Sequence, residues 1–296
     1  MAVLTSPNGY IFYHYIPTKV GAIIVAVLFG LGTLAVLWRS ITSRTKFAIP
    51  FMVGGVLEVV GYVARAIAED SKDSPLVPYI MQSVLLLIAP ALFAASIYMT
   101  LGRVIRSVNG ERRSIIRPTR LTRIFVLIDV VSFFAQATGG SFQASKKFNK
   151  QAAQYIILGG LIVQIVGFGL FAATALVWHV RMLRRPTGAT MADSTGRWQR
   201  ILAMLYAVSV LIMVRSVFRV IEYVMGTDGY LLMNEWPLYV FDAALMLLTV
   251  GVFAWWYPGR LDMSPVATED DSDAGSDTGL ESGHAMKNRL LAGSRR

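Results

Sequence analysis

Cysteine is absent from the 296 residues, which excludes disulfides, thiolate metal sites, a cysteine nucleophile and palmitoylation at cysteine. Histidine is almost absent. His14, His179 and His284 are too few and too scattered for the several-histidine metal site that an intramembrane lipid hydrolase needs, and His179 reads as an interfacial residue beside Arg181. No Asn-x-Ser/Thr acceptor occurs, and no G-x-x-x-x-G-K-[ST] loop that would cradle a nucleotide, so ATP-driven pumping by the chain itself has no support. Charge is also scarce. Charged residues make up 16% and hydrophobic ones 55%, where an ordinary soluble domain carries about 25% charged. A chain this poor in polar cover is built for a bilayer.

The formal net charge of +10 raises nucleic acid as a partner. In a membrane protein, however, a basic excess collects in cytoplasmic loops beside anionic lipid. The expected partners are therefore membrane lipids or lipophilic amphiphiles, with no nucleic acid and no cofactor. The opening MAVLTSPNGYIFYHYIP lacks a basic leader, and no small-residue cleavage pattern follows it, so the first span is read as an uncleaved anchor.

Crossing ~30 Å of hydrocarbon takes about 20 apolar helical residues. Seven stretches meet that length, at about residues 20–38, 47–68, 79–101, 124–144, 155–180, 201–224 and 236–257. The loops between odd and even spans hold fifteen Lys and Arg, seven of them arginines between Arg103 and Arg123. The even-to-odd loops and the N-terminal flank hold five, Lys19, Lys72, Lys146, Lys147 and Lys150. By the positive-inside rule the odd-to-even loops are cytoplasmic. The fold expected is all-α, a seven-transmembrane bundle with its N-terminus outside and its C-terminus in the cytoplasm. Residues 1–16 form an extracellular N-terminus, 17–258 the membrane domain, and 259–296 an acidic, apolar-poor tail expected to be disordered.

The informative residues are ionisable groups inside spans, where each costs about 2.5–3.5 kcal/mol to insert. Span two places Glu58, Tyr62 and Arg65 at i, i+4 and i+7, and span six places Arg215, Arg219 and Glu222 at the same spacing. Each triplet falls on one helix face over roughly 10.5 Å. Their charge order is opposite, so side by side they predict Glu58 with Arg215 and Arg65 with Glu222, while Asp242 in span seven suits Arg219. That makes a neutral cluster of three acids and three bases, serving either to fix helix register or to share charge with an amphiphile's headgroup. Asp129, near the inner end of span four, is expected to meet Arg120 or Arg123. Gln82, Gln136, Gln143 and Gln164 predict interhelical hydrogen bonds. Pro90 predicts a break in the backbone ladder of span three, with Tyr98 further along the same helix. Gly159, Gly160, Gly167 and Gly169 predict a close helix contact at span five.

The ordered segments LEVVGYVAR (57–65), PYIMQSVLLLIAPALFAASIYMTLGRVIR (78–106) and IFVLIDVVSFFAQATGG (124–140) resemble the fungal lipid-translocating exporter family, the seven-span RTA-like proteins. GGLIVQIVGFGLF (159–171), the run from Val214 to Met246 and YPG (257–259) extend the resemblance over most of the chain. It implies movement of, or tolerance to, sphingoid long-chain bases or toxic lipophilic compounds, in a fungal membrane with the plasma membrane favoured. It supplies no catalytic residue, and an enzyme is not expected. The matching positions include Glu58, Tyr62, Arg65, Gln82, Pro90, Tyr98, Asp129, Gln164, Arg215, Arg219, Glu222, Glu235 and Asp242. The alternative is a seven-span receptor or lipid/stress sensor. A conventional G-protein-coupled receptor is disfavoured, because span three ends in LGRVIR and span seven lacks Asn-Pro-x-x-Tyr.

Overall fold

A computed structural model describes residues 4–5, 11–13, 18–70, 76–144, 149–192, 196–225 and 234–259. The tail beyond Gly259, together with the side chain of Gln143, lies outside them. A two-stranded antiparallel hairpin, β1 (Leu4–Thr5) with β2 (Ile11–Tyr13), precedes the helices. These are too short to register as strands in the hydrophobic pattern, and the elements that follow among the described residues are helical.

The long helices are α1 (Lys19–Thr42), α2 (Ile49–Asp70), α3 (Leu76–Ser107), α4 (Pro118–Ala144), α5 (Lys150–Arg184) and α7 (Arg197–Val224). A five-residue α6 (Gly188–Ala192) interrupts the connection between α5 and α7. The seventh span is α8 (Leu238–Trp255), whose first two turns, Leu238–Ala244, are π-helical. Seven helices are long and apolar enough to cross a membrane. Two overshoot the hydrocarbon: the apolar parts of α3 and α5 run 31 and 34 residues, roughly 46 and 51 Å at 1.5 Å per residue.

Their excess length carries the arginine-rich end. There Trp178 Nε1 donates to the Gly110 carbonyl at 3.1 Å, Arg181 Nη1 to that of Arg113 at 3.1 Å, and the Thr187 hydroxyl to that of Val108 at 2.7 Å. The bonds to Val108 and Arg113 satisfy loop carbonyls, and the Gly110 carbonyl also accepts from the Arg113 N–H at 3.1 Å. A cavity of about 190 Å³, lined by Met182, Pro186, Thr190, Trp198 and Gln199 among others, lies at this end.

The helices close into a ring: each packs on the next along the chain, α5 passes to α7, and α8 returns to α1, while α3 also reaches α7 across the middle. The apolar surface points outward, as in Leu31, Trp38, Phe134, Leu170 and Trp255, while Glu58, Arg65, Asp129, Arg215, Glu222 and Asp242 are buried. Lipid tails solvate leucine as well as a protein core does, so only the polar groups need to be hidden. Phe51 ties α2 to α8 and α3, with its ring 4.0 Å from that of Phe253 and 4.4 Å from that of Phe93. Beside it, Gly54 lets α2 approach α3 closely, since a Cβ there would stand 2.9 Å from the Ala89 carbonyl.

Candidate functional site

The ionised side chains gather at the end of the bundle opposite the arginine-rich loops, in two layers. The deeper one joins α2, α3, α7 and α8. Arg215 Nε stands 2.5 Å from Asp242 Oδ1, an ion pair by distance without hydrogen-bond alignment, and its Nη2 donates to the Leu86 carbonyl at 3.0 Å. That carbonyl is available for a reason written in the sequence. In a regular helix it would accept from the N–H four residues on, and residue 90 is proline, which has none. Pro90 thus frees the acceptor that Arg215 takes. Asp242 sits within the π-helical turns of α8, a backbone form frequent at functional sites.

Glu58 and Tyr62 face this layer from α2. Glu58 is 2% exposed and lies in the fields of Asp242 and Arg215, and no hydrogen bond or 4 Å ion pair reaches it among the described residues. Tyr62 stacks its ring on Phe29 of α1 at 5.7 Å, and its buried hydroxyl has no hydrogen-bond partner.

The second layer lies nearer the helix ends. Arg65 Nη2 donates to Glu235 Oε1 at 2.7 Å, and its guanidinium lies 5.5 Å from the centre of the Tyr239 ring. The backbone N–H and hydroxyl of Thr18 donate to the two Glu235 oxygens at 2.9 and 3.0 Å. One carboxylate therefore clamps the start of α1, the end of α2 and the entry to α8. Across the bundle Arg219 Nη1 donates to Glu222 Oε2 at 2.7 Å, and its guanidinium lies 5.4 Å from the centre of the Tyr223 ring. Gln82 is buried on α3, one turn before Leu86.

The cluster forms, but the pairing differs from that expected. Arg215 pairs with Asp242 rather than Glu58, Arg65 with Glu235 rather than Glu222, and Arg219 with Glu222 rather than Asp242. The fourth acid, Glu235, changes the balance to four carboxyls against three guanidinium groups. Glu235 is among the positions that match the family, but it stands just before span seven, outside the in-span charges from which the pairing was predicted. The Arg219–Glu222 spacing of three residues on one helix was the available signal for that pair.

Elsewhere the polar groups meet neutral partners. Asp129 meets neither Arg120 nor Arg123. It is buried and accepts from the Tyr98 hydroxyl at 3.0 Å, because its helix face turns toward α3 rather than toward the loop. Gln136 on α4 donates to Gln164 on α5 at 3.1 Å and to Ser132 at 2.8 Å, and the Ser132 hydroxyl donates to the Gly160 carbonyl at 2.6 Å. Gly160 and Gly167 make the close contact predicted for span five: a Cβ would come 2.9 Å from Gln136 and 2.5 Å from Ile128. Gly159 has open space around it, and Gly169 has only Met213 at 3.9 Å. Among the described residues no group of three or more His, Cys, Asp or Glu is placed to hold a metal ion.

A family model described as RTA1 like protein matches residues 51–263. The chain is 34% identical over 285 residues to Protoporphyrin uptake protein 1 of Saccharomyces cerevisiae, covering 84% of this chain and 93% of that protein. It is 27% identical over 278 residues to Probable lipid transporter atnI of Emericella nidulans, covering 87% and 72%. Identity to Sphingoid long-chain base transporter RSB1 of Saccharomyces cerevisiae is 26% over 251 residues, covering 72% and 64%. No solved structure matches the chain significantly.

Proposed function

The chain belongs to the RTA1-like family, and from that premise we propose that it translocates amphiphiles, lipids or toxic lipophilic compounds, across the membrane it spans. One observation carries the reading: a buried, nearly charge-balanced layer built from α2, α3, α7 and α8 inside a bundle whose outer face is apolar. A charged headgroup crossing hydrocarbon alone meets a cost of several kcal/mol. Exchanging partners within an existing ion-pair network lowers that cost, while the acyl tail stays in lipid. Relatives whose names describe protoporphyrin uptake, lipid transport and sphingoid-base transport support amphiphiles as the class.

The proposed site comprises Glu58, Tyr62, Arg65, Arg215, Arg219, Glu222 and Asp242, with Glu235 added by the geometry. Gln82 and Pro90 shape it, while Tyr98, Asp129, Gln136 and Gln164 hold the neighbouring helices. Fifteen basic residues against five support an N-out, C-in orientation, which puts the ion pairs in the outer half of the bundle. In this reading residues 1–16 face the exterior, 17–258 form the membrane domain and 259–296 a cytoplasmic tail. Residence in the plasma membrane, translocation rather than catalysis, and lipids as partners complete it.

The test is movement of a labelled long-chain amphiphile in proteoliposomes holding only this protein. Folded Arg215→Lys and Glu58→Gln variants moving label as fast as the wild type would remove the ionised layer from the mechanism. Transport seen in cells but missing from pure liposomes would favour a sensor or a partner-dependent role.

A further inference from the structure

The charge count of the deep layer does not close. Arg65 is engaged with Glu235 and Arg219 with Glu222, which leaves Arg215 as the guanidinium for both Asp242 and Glu58. Acceptors in this layer also lack donors. The Tyr62 hydroxyl is buried without a hydrogen bond, and no hydrogen bond reaches Glu58 among the described residues, whereas Asp242 Oδ1 already holds Arg215 Nε at 2.5 Å. Tyr62 follows Glu58 by one helical turn on the same face of α2, and the Arg215–Asp242 pair is the nearest ionic contact in the layer they face. A surplus negative charge in the low-dielectric interior is strongly unfavourable. An ammonium group offers one positive charge and three N–H donors. Those match the missing charge and the unsatisfied Glu58 carboxyl and Tyr62 hydroxyl.

We propose that Glu58, Asp242 and the Tyr62 hydroxyl form a receptor for a single positive charge, held by a proton in the resting bundle and by an amphiphile's ammonium headgroup in transit, the two exchanging one for one. The inference rests on the translocation reading above and adds its coupling. The exchange balances: the ammonium enters, the proton leaves a carboxyl group, the resulting carboxylate accepts the ammonium's hydrogen bonds, and the layer's total charge is unchanged.

The groups around Glu58 come from each neighbouring element. From α7 they are Arg215, with Arg219 and Glu222 a turn or two farther; from α8, Asp242, with Tyr239 and Glu235 toward the helix entry. From α3 they are the Leu86 carbonyl and Gln82, and from α1 the Phe29 ring behind Tyr62. Of the four carboxyl groups only Glu58 has no ion pair of its own among the described residues, so the exchangeable proton is placed on Glu58.

Purified full-length protein in weakly buffered detergent is titrated with a labelled C18 primary amine and, separately, with its N-acetylated neutral counterpart. Bound label and proton release into a pH indicator are read together. The wild type is expected to release about one proton per amine bound, and its apparent affinity to fall about tenfold for each pH unit lowered, the mass-action signature of one-for-one exchange. The neutral compound is expected to release none. Glu58→Gln, which removes the surplus charge, is expected to lose both the preference for the amine over the neutral compound and the proton release, with a flat pH profile, and Glu58→Asp to restore both.

Amine binding by the wild type without proton release overturns the exchange and leaves translocation standing. Proton release that persists in Glu58→Gln shows that the proton comes from the amine itself, and overturns it as well. Absence of binding to either compound at every pH sinks the exchange and the translocation reading together. Should Glu58→Gln fail to fold, Asp242→Asn takes its place, with loss of proton release expected and its retention counting against the receptor.

Discussion

The two sides of the bundle solve the burial of polar groups differently. Where α4 packs on α5, every buried polar contact is neutral: Gln136 with Gln164 and Ser132, Ser132 with the Gly160 carbonyl. Where α2, α3, α7 and α8 meet, the contacts are ionic, and the layer contains one more carboxyl than guanidinium. Neutral interhelical hydrogen bonds in membranes contribute only about 0.6 kcal/mol each, enough to orient helices already held by packing. Buried ions are costly to insert, so an ionic layer that merely joined helices would be an inefficient way to do so. In the proposed reading, mechanism lies on the ionic side and scaffold on the neutral one.

The sharpest way to break this contrast is Arg215→Ala. It strands Asp242, Glu58 and the Leu86 carbonyl together, and the expected loss of stability is about 3–5 kcal/mol, measured by unfolding equilibrium in bicelles. A loss below 1 kcal/mol would mean that the carboxyls need no guanidinium. Next in size is Gly160→Val on the neutral side. A Cβ there already stands 2.9 Å from Gln136 and 3.0 Å from the Ser132 carbonyl oxygen, and overpacking is expected to cost about 1–3 kcal/mol. Transport rate per folded molecule should be unchanged, and a selective fall in rate would move part of the mechanism to α4 and α5.

Smaller still is the coupling between Pro90 and Arg215. Pro90→Ala supplies the N–H that can take the Leu86 carbonyl back into the helix, so a double-mutant cycle with Arg215→Lys should give an interaction of about 0.5–1.5 kcal/mol. Strict additivity would show that Arg215 does not depend on the proline. The smallest effect belongs to Gln136→Leu, expected near 0.6 kcal/mol by the same unfolding assay, with transport intact. If it equalled Arg215→Ala, the division of the bundle into scaffold and mechanism would fail.

Much of this was legible in the residues. The seven apolar stretches became seven long helices, the third running on to Ser107 and the fourth starting at Pro118, each six residues past the expected end, because spanning hydrocarbon leaves the backbone no alternative to satisfying itself. Helical spacing put Glu58, Tyr62 and Arg65 on one face, and Gln136 opposite Gln164 needed only that α4 and α5 be neighbours. Partner choice among the ions was not legible. Arg65 sits one turn from its helix end, where a carboxylate outside the spans, Glu235, reaches it as readily as any on another helix. Asp129 was assigned to loop arginines by its height along α4, whereas its azimuth turns it to Tyr98. Height follows from counting residues at 1.5 Å each; azimuth depends on which neighbour the helix packs against.

The sequence by itself determined that this chain lives in a membrane, how many times it crosses, and that a few ionisable groups must turn inward, since each of these follows from local composition and helical period. The tertiary structure alone decided that Arg215 bridges Asp242 and the carbonyl released by Pro90, and that Glu58 is left without a cation of its own. Those contacts join residues far apart along the chain, and a period of 3.6 residues says nothing about the depth at which two helices are set against each other.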